Sequence, residues 1–134
     1  MSTLKTNTLT GTTSAGSILV TGEGGSTTTN LQQGLAKAWA NLNGTGTIAL
    51  RDSFNIASTL DNGTGNYDIV FTNNMSDSNY AVVGESAHNA PISGGRNRHY
   101  HCVGESSSQI NINGYTTSNV DITFCYAGPL GDLA

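Results

Sequence analysis

Charge is scarce in this chain: 5 Lys and Arg against 9 Asp and Glu in 134 residues, a net charge of −4. Globular domains usually hold about a quarter charged residues; here the share is 10 %. So few cations exclude a phosphate backbone as partner, and with it nucleic-acid binding. They also exclude a polybasic membrane anchor. No apolar run approaches the roughly 20 residues of a membrane span, so membrane insertion is not expected. The opening Met1-Ser-Thr-Leu-Lys-Thr-Asn-Thr-Leu has no apolar secretory core, so the chain is expected to fold in a cytosol. Its two cysteines, Cys102 and Cys125, are then expected as free thiols on strands. A bridge between them is possible if the two strands are neighbours with a short Cβ–Cβ distance.

Polar character comes instead from Ser, Thr, Asn and 17 glycines, side chains suited to turns and hydrogen-bonded ladders. Residues 1–28 have thin apolar content, with Leu4, Leu9, Ile18, Leu19 and Val20 set among Thr, Ser and Gly. Such a segment cannot bury a core alone and reads as an extended N-terminal arm that orders against a partner. One helical signal follows over residues 29–39. Asn30 can cap it, and Leu31, Leu35 and Trp39 recur at spacings of four. A short helix of two or three turns is expected there, as the junction to a head.

From Ala38 onward the pattern is β. Ala38 to Leu42 and Thr47 to Leu50 flank an Asn-Gly-Thr-Gly turn, and Asp61-Asn-Gly-Thr-Gly65 closes a second hairpin. Val120, Ile122, Phe124 and Tyr126 alternate cleanly until Gly128-Pro129, where the strand is expected to end. Glu85 to Asn97 reads as a long loop. About seven or eight short strands with regular turns predict an all-β, antiparallel β-sandwich or barrel-like head over residues 29–134.

Chemistry-bearing motifs are weak. Gly44-Thr-Gly46 and Gly63-Thr-Gly65 lack the strand-to-helix setting of a phosphate loop and read as β-turns. No nucleophile elbow occurs. Asp61, Asp68, Asp77, Glu85, Glu105 and Asp121 are scattered over turns and strand faces, unlike the facing pair of a glycosidase. No cofactor is implied and the chain is not read as an enzyme. His99 and His101 share one strand face, yet two imidazoles fall short of a closed metal site. They read as surface polar residues; only a threefold axis would gather six nitrogens. The aromatic residues Trp39, Tyr67, Phe71, Tyr80, Phe124 and Tyr126 read as core. Tyr100 and Tyr115, beside Gly- and Asn-rich loops, have the amphipathic profile of a recognition surface. Arg51 and Asp52 point to opposite sides of a strand, so each is expected to find a separate partner.

Three stretches carry a resemblance: Leu31-Gln-Gln-Gly-Leu-Ala-Lys-Ala-Trp through Arg51-Asp-Ser-Phe-Asn-Ile56, then Asp61 to Phe71, then Met75-Ser-Asp-Ser-Asn-Tyr80. Together they resemble a fibre-type domain of tailed bacteriophages, and Leu4-Lys-Thr-Asn-Thr-Leu9 is similar to the arms of such virion proteins. The likeness spans residues 31–84 well. It implies a homotrimeric virion protein, assembled in the host cytoplasm, whose arm binds other virion proteins. Leu31, Leu35, Trp39, Arg51 and Asp52 are the expected trimer and junction residues. His88, Asn89, Arg96, Asn97, Tyr100 and Tyr115 are the expected receptor-facing loop residues, with a host surface glycan as the partner. A tail fibre and a capsid decoration (head-fibre) protein both fit. From other classes, a carbohydrate-binding module would need no arm, and a glycan hydrolase would need two facing carboxylates.

Overall fold

A computed structural model describes residues 3–13, 17–22, 24–87, 99–115 and 121–134; the side chains of Ala87, His99, Tyr100 and Tyr115 are outside that description. The chain divides into two compact units, Met1–Leu35 and Ala36–Ala134.

In the first unit, β1 (Leu19–Thr21) pairs antiparallel with β2 (Thr28–Asn30). Gly24 and Gly25 make the turn in left-handed backbone, with φ of 99° and 80°. The expected helix over 29–39 is absent; no helix occurs among the described residues. Asn30 does cap, its Oδ1 accepting from Gln32 N at 2.8 Å, and Gly34 N reaches Asn30 O at 3.2 Å. The turn stops there. Gly34 disfavours propagation, and a single hydrogen-bonded turn does not repay helix nucleation. Leu31 and Leu35 therefore share no helical stripe with Trp39, which begins a strand of the second unit.

That unit is all-β and sandwich-like. One antiparallel sheet has the order β4 (Ala49–Phe54), β3 (Trp39–Asn43), β10 (Phe124–Leu130), β7 (Ala81–Ala87). The other runs β5 (Ile56–Asp61), β6 (Asn66–Phe71), β9 (Gln109–Tyr115), β8 (His99–Ser106). The hairpin at Asp61–Gly65 forms as its turn residues dictate, with Gly63 N donating to Asp61 Oδ1 at 2.9 Å.

Three boundaries depart from simple alternation and turn signals. The segment Ser53–Leu60, where Phe54 and Ile56 alternate, is two strands in different sheets, broken at Asn55, the one described non-glycine residue with positive φ, 58°. Its side chain holds the corner. Nδ2 donates to Lys37 O and Asn73 O, both at 3.0 Å, and Oδ1 accepts from Asn73 N at 2.8 Å. Glu85 to Ala87 extend β7 rather than opening the loop. Strand β10 continues through Pro129 to Leu130, its carbonyls still accepting, as Lys37 N to Pro129 O shows.

The core explains which faces look inward. The β6 sheet contributes bulk: Tyr67, Ile69, Phe71, Ile110 and Ile112 are buried. The β3 sheet contributes mostly small groups: Ala40, Cys125 and Ala127, with Leu42 the largest. Large opposite small fills the interlayer space. The inward positions of β10 are thus the small ones, and its aromatic residues face out.

Candidate interaction surface

Cross-strand register places three rows of side chains on the outward face of the β3 sheet. Phe54 pairs with Trp39, and Gly128 and Val83 continue that row. Asp52, Asn41, Tyr126 and Glu85 form the next. Arg51 and Phe124 lie beyond it. Phe54, Trp39, Tyr126, Val83 and Leu130 are each between 38 % and 61 % exposed. Scattered exposed apolar groups are ordinary, but a contiguous patch marks a contact surface. Trp39, Phe124 and Tyr126 were expected in the core; the small inward residues of their sheet turn them outward. Tyr67, Phe71 and Tyr80 do lie inside, buried or half-buried.

Arg51 occupies a β-bulge between the Asn41–Asp52 and Leu42–Leu50 pairs. The extra residue re-aims its side chain. The guanidinium donates from Nη1 to Leu42 O at 2.8 Å and stands 4.4 Å over the Phe124 ring, a cation–π contact. Asp52 accepts from Ser53 N at 2.8 Å. The two neighbours do not serve each other, but they do not point to opposite sides as expected: the bulge brings both to the outward face. Asn41 Oδ1 is buried with no hydrogen-bond partner, an anomaly for an interior amide. Arg51 and Asp52 stand on the β4 edge of this face and Glu85 on the β7 edge.

The outward face of the β6 sheet is built differently. Leu60, Asp68, Asn111 and Val103 form one row, and Asn66, Asn113 and His101 the next. Asn111 Nδ2 donates to Asp68 Oδ1 at 2.6 Å and to Asn66 Oδ1 at 2.8 Å. Gln109 Nε2 donates to Glu105 Oε2 at 2.6 Å. Asp68 is only 7 % exposed, roofed by its row neighbours.

Two tyrosines close the ends of the sandwich. The Tyr67 hydroxyl lies 2.8 Å from Gly44 O and 2.9 Å from Asp121 Oδ1. Burial, aided by the Asp121 carboxylate, pushes its pKa up. A Cβ on Gly44 would fall 2.5 Å from the Tyr67 ring, so that turn glycine is fixed by packing. Tyr80 reaches Ser106 O and Gln109 O at 2.8 and 2.7 Å. Burial and then the Glu105 charge push it up to about 12.

Of the expected trimer and junction residues, Trp39, Arg51 and Asp52 meet on the β3-sheet face. Leu31 and Leu35 belong to the first unit, where they line a cleft of about 520 Å³ with Leu9, Ser17 and Ile18. His101 is exposed on the β6-sheet face, and His99 stands two places before it on β8. Among the described residues no group of three metal-ligating side chains forms. His88, Asn89, Arg96 and Asn97 lie outside the described residues. The sequence signal for the outward face was present in β10, where Phe124 and Tyr126 alternate with Cys125 and Ala127. It required knowing which set was the smaller one. No family model matches the chain, and no curated protein or solved structure matches it either.

Proposed function

We propose that this chain is a structural protein of a bacteriophage particle, a homotrimeric fibre. Its N-terminal unit attaches to the virion, and its β-rich head is displayed toward the host surface. The observation that carries the reading is the outward face of the β3 sheet. Five large apolar side chains stand open there, three of them aromatic, beside an unpaired amide acceptor.

A second copy suits that face better than other occupants. Copies meeting β4 edge to β7 edge bring Arg51, with Asp52 beside it, toward Glu85 of the next, and such a head-to-tail contact forms a ring where its rotation closes. An acidic partner would meet the carboxylates of Asp52 and Glu85. The sequence resemblance of residues 31–84 to phage fibre domains supplies the biological setting. In that setting each head binds a host glycan weakly through its far loops, and the trimer multiplies the contact through avidity. The role is one of assembly and display rather than catalysis.

Native mass spectrometry of the full chain tests the assembly: a trimer is expected at low micromolar concentration, and a monomer overturns it. Antibody labelling of intact particles tests the location. Signal at tail tips supports the fibre, signal over the shell moves the protein to capsid decoration, and no signal on particles overturns the virion role.

A further inference from the structure

Cys102 and Cys125 sit on strands of different sheets. Cys102 lies on β8, opposite Ile112, and Cys125 on β10, opposite Leu42 and Ser86. Both point into the space between the layers. Both are free thiols, Cys125 fully buried and Cys102 half-buried. The two thiols are near enough to shift each other's pKa.

The surroundings pack closely on the pair. Gly84 faces the pair, and a Cβ there would stand 3.2 Å from Cys102 Sγ. A larger residue would displace the thiol. Ser86 Oγ, cross-strand from Cys125, is buried without a hydrogen-bond partner. An unpartnered hydroxyl beside two thiols is unexpected inside a β-core if the cysteines serve only as small hydrophobic groups.

We propose that Cys102 and Cys125 form a reversible oxidation site, at which a small-molecule disulfide converts the two thiols into a bridge between the sheets. Cys102 is the entry point. It is the more exposed thiol, and its contact with Cys125 holds its pKa below the ordinary value, against the opposing effect of burial. The same contact, with burial, pushes Cys125 up. This asymmetry divides the roles as in other dithiol sites, one thiol attacking and the other resolving.

The chemistry balances. The Cys102 thiolate attacks one sulfur of the reagent, whose S–S bond breaks, and one small thiolate leaves. Cys125 then gives its proton to the departing thiolate and attacks Cys102 Sγ, expelling the second small thiol. The protein loses two electrons and two protons, and the reagent gains both as two thiols. A reducing cytosol keeps the pair open and an oxidising medium closes it.

The test treats the full chain with oxidised glutathione, followed by intact mass, thiol titration and thermal unfolding. The expected product has no titratable thiol, is two hydrogens lighter, and carries no glutathione. Its unfolding midpoint rises by roughly 10 °C and returns on reduction. In Cys125→Ala the reaction should stop at one glutathione on Cys102. In Cys102→Ala the remaining thiol should stay unmodified while folded. Two unreacted thiols, two glutathione adducts or a disulfide between chains would each overturn the proposal. The wild-type measurement decides even if a variant fails to fold.

Discussion

The outward face of the β3 sheet leaves Trp39, Phe54 and Tyr126 open, whereas that of the β6 sheet ties Asn66, Asp68, Asn111 and Asn113 into one network. Both faces belong to one sandwich and cover one core. On the first, an amide acceptor at Asn41 lacks a partner; on the second, Asn111 Nδ2 has acceptors to spare. A surface whose polar groups satisfy each other gains little from a protein neighbour, because contact adds no hydrogen bonds and removes water. A surface of uncovered rings gains about 25 cal/mol for each Å² hidden. The asymmetry lies in side chains alone, since both sheets are four-stranded and antiparallel.

The strongest way to break the comparison is to make the first face resemble the second. Replacing Trp39, Phe54 and Tyr126 together by Ser should weaken self-association more than about 100-fold, since central aromatic contacts dominate interface energetics. Analytical ultracentrifugation measures this. The thermal midpoint of the monomer should change little, because none of the three is in the core. Association that survives unchanged would remove this face as the interface.

Asn55 is the hinge between the two sheets, and its loss affects both. Asn55→Ala removes hydrogen bonds to Lys37, Asn73 and the corner backbone, and puts a Cβ-bearing residue without local side-chain support at φ 58°. At about 1 kcal/mol for each bond, less for exposure, denaturant unfolding should show a loss of roughly 3 kcal/mol. Asn55→Gly loses the same bonds but relaxes the backbone, so it should be about 1 kcal/mol milder. Equal losses would mean the backbone conformation contributes nothing.

On the second face, Asn111→Ala should cost about 2 kcal/mol, because it strips the hydrogen-bond donor from the nearly buried Asp68. Association should be untouched. A variant that loses trimer while keeping its midpoint would reverse the roles of the two faces.

Much of this arrangement was legible in the sequence, and the failures share a cause. Turn chemistry located the Asp61–Gly65 hairpin, and period-two alternation located the Phe124–Tyr126 part of β10, because both signals are local. The break at Asn55 was hidden, since alternation from Phe54 to Ile56 continues across a corner that only the bonds to Lys37 and Asn73 reveal. The direction of β10 was also hidden. Alternation says that Tyr126 and Ala127 face opposite ways, but not which is inside. That depended on Tyr67, Ile69 and Phe71 filling the space from the other sheet. The helix over 29–39 failed because a spacing of four among Leu31, Leu35 and Trp39 also occurs where a turn runs into a strand. For the site, Arg51 and Asp52 were singled out as rare charges and do lie on the open face. Asn111 drew no notice, because one Asn among many carries no mark of the carboxylate it covers.

The smallest effect concerns the two apolar residues on the amide-rich face. Leu60 and Val103 end the row through Asp68 and Asn111, and both are more than a third exposed. Exposure alone therefore does not separate them from Val83 or Leu130. Their setting does: they stand apart at the row ends, with Asp68 and Asn111 between them. Leu60→Ser with Val103→Ser should leave association within about twofold of wild type and stability within about 0.5 kcal/mol for each site, the range of ordinary surface substitutions. Ultracentrifugation and denaturant titration on the same samples measure both. A large loss of association would show that any exposed apolar group on this head promotes contact, and that the ordered rows of Trp39, Phe54 and Tyr126 confer no preference.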